Sequence, residues 1–546
     1  MGVLFSGVLV GLWSMFVYVY YMLWLMPEKI RGRLQRQGIN GPLPSFLYGN
    51  IHEMQRILSV EKDMALSRTC NGGHVAHNYA STLFPYFDRW RETYGRRSKA
   101  LFPTLWKARI SYRFFHICTC ARRWIGPLFM YSTGTMQLLY VSDADLVKEI
   151  SLQKSLDLGK PTYMQKERGP LFGEGILTSN GSIWAHQRKI IAPQFFMDKV
   201  KGMVDIMVES IIPLLKSWES RVDKEGGVGD IRVDEDLRSF SADVISRACF
   251  GSSYFKGKEI FLRLRALQQA MSTKSLLIGV PGLRYLPTKN NRNTWRLDRE
   301  IRSLILKLVK ERREESLATS EKDLLQTILE GANSDQIKPD TTDRFIVDNC
   351  KNIYFAGHET TAVAATWTLM LLALNPEWQT RARAEVLEVC GGQLPDVDMI
   401  RKMKVVTMVI QESLRLYPPA AFLSREALRD MELGGIHVPK GLKLWIPILT
   451  LHQNPDIWGP DAHEFNPERF AHGIFNACKL PHVYMPFGAG ARTCVGQNFA
   501  MVELKVVLSG ILGKFSFSLS PGYCHSPAFR LTVEPEHGLN LIIRRV

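Results

Sequence analysis

The chain has 546 residues, 46% of them hydrophobic and 22% charged, with 27 Pro and 41 Gly. That composition excludes a disordered chain, a collagen-like repeat and a disulfide miniprotein. Nine scattered cysteines, an odd number, argue against a secreted disulfide framework. The net charge of +16 is uneven: Arg96, Arg97, Lys99, Lys107, Arg109, Arg113, Arg122 and Arg123 fall in residues 96–126, which hold no Asp or Glu. Elsewhere the charges are mixed, apart from Lys29, Arg31, Arg33 and Arg36 after the apolar N-terminus. No nucleic acid is expected as a partner.

Residues 1–26 carry no charged side chain. As a helix they span about 39 Å, enough to cross a ~30 Å hydrocarbon core with some tilt. No basic region precedes the stretch and no small-residue cleavage site ends it, so it reads as a retained transmembrane signal anchor rather than a removed signal peptide. The basic residues behind it place the rest of the chain on the cytoplasmic side. Residues 27–50 read as a basic and Pro-rich linker to a single body at 51–546, stiff and extended over the run Gly41–Asn50 with Pro42, Pro44 and Gly49.

That body is mainly helical. Helix-like spacing covers 141–153, 198–220, 235–250, 258–272 and 295–317, a long run covers 343–374, and another helix covers 402–416. The stops are Asn375-Pro376 and Pro418-Pro419. Short strands are expected at 127–141, 433–448 and 529–544. The spacing shows no internal repeat.

The chemistry concentrates in Pro486-Phe-Gly-Ala-Gly-Ala-Arg-Thr-Cys-Val-Gly-Gln-Asn498. One cysteine, Cys494, sits in a Gly-rich loop just before an apolar helix. Gly488, Gly490 and Gly496 let the backbone turn sharply and approach a flat partner closely. The helix N-terminus favours a thiolate, and Arg492 suits a carboxylate. Together these describe a site for haem iron and its propionates.

The spacing Phe487-x-x-Gly490-x-Arg492-x-Cys494-x-Gly496 resembles the haem-binding signature of the cytochrome P-450 monooxygenases. Glu412-Ser-Leu-Arg415 resembles their ExxR pair, with both charges on one helix face, and Pro467-Glu-Arg469-Phe resembles the segment whose Arg completes that triad. Ala356-Gly-His-Glu-Thr360-Thr361 lies mid-way along the 343–374 helix, where a glycine costs roughly 1 kcal/mol relative to Ala. The resemblance places this segment over the distal haem face, its small residues leaving room for dioxygen and a local widening freeing carbonyls for water. It makes Glu359 and Thr360 the acid–alcohol pair that delivers protons, with His358 non-ligating. Trp184-Ala-His-Gln-Arg188 resembles the WxxxR motif whose Trp and Arg hold a propionate, and Arg425 stands where another propionate-binding Arg is expected.

The resemblance implies a mainly α cytochrome P450 fold, a large helical domain with a small β region around buried haem b, with Cys494 as axial thiolate. It further implies an endoplasmic-reticulum membrane protein, single-pass, that draws electrons from an NADPH–cytochrome P450 reductase. Such an enzyme inserts one oxygen atom of O2 into a hydrophobic small molecule. Ser155-Leu-Asp-Leu-Gly-Lys-Pro161, Phe172-Gly-Glu-Gly-Ile-Leu-Thr178, Ser239–Gly251 and Asp348-Asn-Cys-Lys-Asn-Ile-Tyr354 look like plant gibberellin-oxidising members, which hydroxylate or epoxidise a tetracyclic diterpenoid. Cytokinins or brassinosteroids are the alternative substrates. A reductase-independent haem-thiolate rearrangement enzyme and a non-catalytic haem sensor are the alternative classes.

Residues 96–126 depart from that pattern. In relatives a Tyr-Gly such as Tyr94-Gly95 runs almost straight into a strand such as Pro127-Leu-Phe-Met-Tyr131. The intervening basic stretch reads best as a retained intron or a misplaced exon boundary, ahead of a lipid-facing loop. His116, Cys118 and Cys120 lie too close together for a good tetrahedral zinc cage.

Overall fold

The computed structural model describes residues 2–66, 77–95, 128–251, 254–272, 275–315, 323–334 and 337–546. The first helix, α1 (Gly2–Tyr20), passes through a π-helical turn (Tyr21–Leu25) into α2 (Met26–Gln35). Its described apolar residues from Ser6 onward lie outside the packed body, which makes it a candidate membrane span. Residues 27–35 stay helical, and Arg31 is buried, donating to the carbonyls of Gly41 (3.1 Å) and Pro42 (2.8 Å). Asn40 O then accepts from Met130 N, and a Cβ on Gly41 would lie 1.7 Å from Met130 O. The segment is pinned to the body by backbone contacts that only glycine permits.

The body is built round α9. In chain order its helices include α3 (Pro85–Tyr94), α4 (Gly181–Ile191), α5 (Val204–Lys224), α6 (Val233–Phe250), α7 (Tyr254–Ser272), α8 (Lys289–Glu315), α9 (Thr342–Leu374), α10 (Lys404–Leu416) and α11 (Gln497–Leu512). Almost every side chain of α9 from Phe345 to Ala373 is buried, as a helix packed on all sides must be. It touches α6, α7, α8, α10 and α11. Gly357 marks its closest crossing with α6: a Cβ there would come within 2.5 Å of the Ile245 side chain. This helix crossing supplies a packing reason for a glycine in mid-helix. α9 is α-helical through 356–361, without the local widening that was expected.

Five strands, β1 (Leu128–Thr133), β2 (Met136–Val141), β3 (Leu158–Gly159), β4 (Phe422–Ala427) and β5 (Lys443–Pro447), form one sheet in the order β1-β2-β5-β4-β3. The pairs β1–β2 and β4–β5 are antiparallel and β2–β5 is parallel. The expected helix at 141–153 starts three residues late. Val141 ends β2, and Asp143 caps the helix by accepting from Leu146 N at 2.8 Å. Strand β4 was not foreseen, because Pro418-Pro419 marked only where α10 stops. A hairpin of β6 (Pro527–Phe529) and β7 (Val533–Pro535) lies beside α9, and a second sheet joins Val228–Arg232, Asn540–Arg545 and Phe515–Leu519.

The insert at 96–126, with His116, Cys118 and Cys120, lies outside the described residues. Its flanks share one core: Trp90 of α3 packs edge-on to Phe129 of β1, ring centroids 6.3 Å apart, and the β1–β2 hairpin is formed.

Candidate active site

Between α9 and the cysteine loop lies a cavity of about 320 Å³. One wall is Ala356, Gly357, Thr360, Thr361 and Ala364 of α9, and the opposite wall is Phe487, Gly488, Cys494, Val495 and Gly496. Its lining is mostly apolar, as a pocket for a hydrophobic ligand requires.

Local backbone chemistry explains how Cys494 reaches it. Gly488 and Gly490 both take φ of +74°, and a Cβ on Gly490 would lie 2.5 Å from Ser151 O. Cys494 N donates to Phe487 O at 2.9 Å, closing the loop, and α11 begins three residues later. Cys494 lines the cavity and is open to it, while its thiol is sheltered from bulk water. Desolvation pushes the thiol upward, opposed by the Gly496 backbone hydrogen bond and by Arg188.

One edge of the cavity is strongly cationic. Arg492 donates to Ser179 O (2.9 Å) and Asn180 Oδ1 (2.8 Å), and Arg188 donates to Thr493 O (2.7 Å). Arg425 does not line the cavity itself but lies just behind this edge, beside Trp184 and Arg492, donating to Ser424 O and Ala489 O. None of the three has a carboxylate partner among the described residues. Burial, with Arg425 and Arg188 nearby, pushes Arg492 down to about 9, and burial alone brings Arg425 to about 10. Trp184 is sandwiched, with the guanidinium carbon of Arg492 4.2 Å and that of Arg188 5.9 Å from its ring.

Lys160 joins this edge and was not foreseen. Asn180 holds its backbone, accepting from Lys160 N (2.7 Å) and donating to Lys160 O (2.9 Å), with the Oδ1 that also accepts from Arg492. Desolvation, then Arg425 and Arg492, lowers its ammonium to about 7. A lone Lys in Leu158-Gly-Lys-Pro161 carries no local signal, because Asn180 lies 20 positions on and Arg425 and Arg492 hundreds of residues away.

Uncompensated cations beside an apolar slot, with a sulfur on the wall opposite Thr360, fit a flat apolar group that carries carboxylates on one edge and a thiolate-binding metal at its centre. Haem b has that form.

Thr360 and Glu359, adjacent in sequence, face different surroundings. Thr360 lines the cavity, its Oγ1 donating to Ala356 O at 2.7 Å. Glu359 is fully buried and accepts from Arg265 of α7 at 2.7 Å, with Arg238 of α6 at 3.5 Å. Burial would raise its pKa, but Arg238 and Arg265 outweigh that and hold it below the usual carboxylate range. His358 also turns from the cavity, its Nδ1 2.8 Å from Tyr354 O, and burial keeps it neutral.

Below the site, the expected charge triad is assembled. Glu412, fully buried, accepts from Arg415 Nε (2.7 Å) and Nη2 (2.8 Å), from Asn466 N (2.9 Å) and from Arg469 Nε (3.4 Å). Arg415 spends its other donors on the carbonyls of His452, Ala462 and Glu464. The cluster ties α10 to the segment leading into the cysteine loop.

Residues 97–540 match the family model "Cytochrome P450". The chain is 54% identical over 532 residues to cytochrome P450 714C2 of Oryza sativa subsp. japonica, covering 97% of this chain and 96% of that one. It is 49% identical over 547 residues to cytochrome P450 714B3 of Zea mays (100% and 96%) and 46% over 542 residues to cytochrome P450 714A2 of Arabidopsis thaliana (97% and 96%).

Proposed function

Because this chain belongs to the cytochrome P450 family, haem-thiolate monooxygenases that act with a redox partner and O2 on hydrophobic substrates, we propose that the Cys494 thiolate would hold the haem iron and that a gibberellin-type diterpenoid is the substrate. The observation that carries the reading is that Cys494 and Thr360 line one mostly apolar cavity that also carries Lys160, Arg188 and Arg492. Bound there, haem supplies reduction of O2 and insertion of one oxygen atom into a C–H or C=C bond.

The chain's own groups then have distinct tasks. Arg188, Arg425, Arg492 and Lys160 neutralise the two carboxylates of the haem edge, and Trp184 keeps Arg188 and Arg492 in place. Phe487 and the glycines hold the Cys494 sulfur at the cavity wall. Thr360 Oγ1 takes a proton from water and passes it into the cavity. Glu359, expected as the acid paired with Thr360, is held as a carboxylate by Arg265 and Arg238 away from the cavity, and braces α9 against α6 and α7. Ile176, Leu177, Phe195, Ile353 and Leu423 give the cavity its apolar lining and exclude water from the reacting carbon.

The gibberellin assignment rests on the strings at 155–161, 172–178, 239–251 and 348–354. The anchor at 1–26, the linker at 27–50 and the body at 51–546 form a single-pass protein of the endoplasmic reticulum with its body in the cytoplasm and an NADPH–cytochrome P450 reductase as electron donor. The test is mass spectrometry of products from a panel of gibberellins, with NADPH and reductase present or withheld. Hydroxylated or epoxidised diterpenoid formed only with both supports the reading. Turnover of cytokinins or brassinosteroids instead, or turnover without reductant, overturns it.

A further inference from the structure

The long helix α8 presents a face that the activity does not use. Arg292, Trp295, Arg296, Arg299 and Arg302 are all exposed. Their spacing of three and four residues lines them along one side over about 15 Å. Residues 289–307 hold Lys289, Arg292, Arg296, Arg299, Arg302 and Lys307 against only Asp298 and Glu300. Both acids are already engaged: Asp298 is 3.1 Å from Lys351, and Glu300 is 2.9 Å from Arg263 and 3.9 Å from Arg296. Among the described residues, Arg292, Arg299 and Arg302 have no carboxylate partner and Arg296 has only a distant one, so the face keeps a net positive charge.

Its surroundings indicate what covers it. Just before α8, Tyr285 (67% exposed) and Leu286 (52%) project outward. The same segment reaches the β1–β2 turn, where Thr135 N donates to Gly279 O, and Gly134 N of that turn donates to Tyr48 O. Next to Tyr48, Leu43 and Phe46 are exposed as well, by 83% and 54%. Apolar residues thus run from behind the candidate membrane span to the start of α8, where Trp295 (38% exposed) stands among arginines. Trp at the boundary of an apolar and a cationic surface suits the headgroup zone of a bilayer.

We propose that the Arg292–Arg302 face of α8 binds the headgroups of anionic phospholipids and so fixes how the body rests on the membrane that holds its anchor. Arginine forks match phosphate geometry, and the attraction acts only within about a Debye length, ~8 Å at physiological salt. The face must then lie against the bilayer. The inference rests on anchoring of the chain in a bilayer, and flotation with liposomes tests that premise separately.

The experiment places the full-length holoenzyme in nanodiscs of phosphatidylcholine with or without phosphatidylserine, a headgroup-proximal spin-labelled lipid serving as fluorescence quencher. The Trp295 component is the difference between the native protein and W295F. We expect that component to be quenched with phosphatidylserine, to lose its quenching in high salt and in the variant R292Q/R296Q/R299Q/R302Q, and to keep it when the same four become Lys. Equal quenching in both lipid compositions, or in the Gln variant, overturns the proposal. So does a Gln variant that retains its lipid behaviour but loses electron transfer from the reductase, which would make the face a protein dock. All four arginines are on the surface, and an unchanged haem spectrum verifies folding of each variant.

Discussion

Arg492 lays its guanidinium over the indole of Trp184, 4.2 Å from the ring centroid, although 308 positions separate the two residues in the chain. The contact fastens the cysteine loop to α4 and aims a cation at the cavity that Cys494 faces.

Replacement of Cys494 is the sharpest test of the site. In C494S the fold should persist, because Ser differs from Cys by one atom and the loop is closed by the backbone bond from Cys494 N to Phe487 O. Monooxygenase activity should fall to background. The thiolate-type shift of the carbon-monoxide difference spectrum should vanish, while circular dichroism stays native. Retention of that shift would remove Cys494 from the iron.

Lys160 should act through the cofactor. K160M deletes the ammonium while keeping the stem, so haem should transfer faster to apomyoglobin, and K160R should restore retention. A K160M protein that holds haem as tightly as the native one would leave Lys160 without a role at the cationic edge.

Glu412 should be needed for stability. Removing its charge strands Arg415 and Arg469 in the interior, at a cost of about 3–5 kcal/mol. E412Q should therefore lower the thermal midpoint and reduce haem incorporation together. Native-like melting of purified E412Q would contradict this account.

Thr360 should govern coupling rather than binding. T360A keeps the cavity shape and removes the hydroxyl. Oxidised product per NADPH should fall at least about tenfold, with hydrogen peroxide rising to match, while substrate affinity changes little.

Glu503 of α11 gives a pH prediction. Its carboxyl is buried, accepts one bond from Ser241 Oγ at 2.6 Å, and its Oε2 has no hydrogen-bond partner among the described residues. Burial raises its pKa to about 8, with Ser241 pulling the other way. Below about pH 4.3 both folded and unfolded chains carry the proton. As pH climbs toward 8, only the unfolded chain releases it, and native stability declines. E503Q escapes this decline, so its advantage in urea midpoint should be larger at pH 8 than at pH 5.5. A difference that is flat with pH would show that Glu503 is ionised in the folded protein.

Much of this protein was legible in its sequence because the informative patterns are local. Helix periodicity depends on neighbours three and four apart, so α6, α7, α9 and α10 fell within four residues of expectation, while α8 began six residues early at Lys289. The cysteine loop was readable because its glycines, arginine and thiol act within ten residues. The N-terminal span needed only length and the absence of charge. The triad of Glu412, Arg415 and Arg469 spans 58 residues, yet each half carried its own signature.

Tertiary structure alone decided what depends on distant partners. It turned Glu359 toward Arg265 while Thr360, one position on, lines the cavity, because successive helix residues point about 100° apart and the crossing of α9 with α6 and α7 sets which faces inward. It brought Lys160 to the arginines through Asn180, buried Arg31 against the carbonyls of Gly41 and Pro42, and left the arginines of α8 in the open. Charge and burial are properties of whatever surrounds a side chain, and those surroundings exist only once elements far apart in the chain have packed.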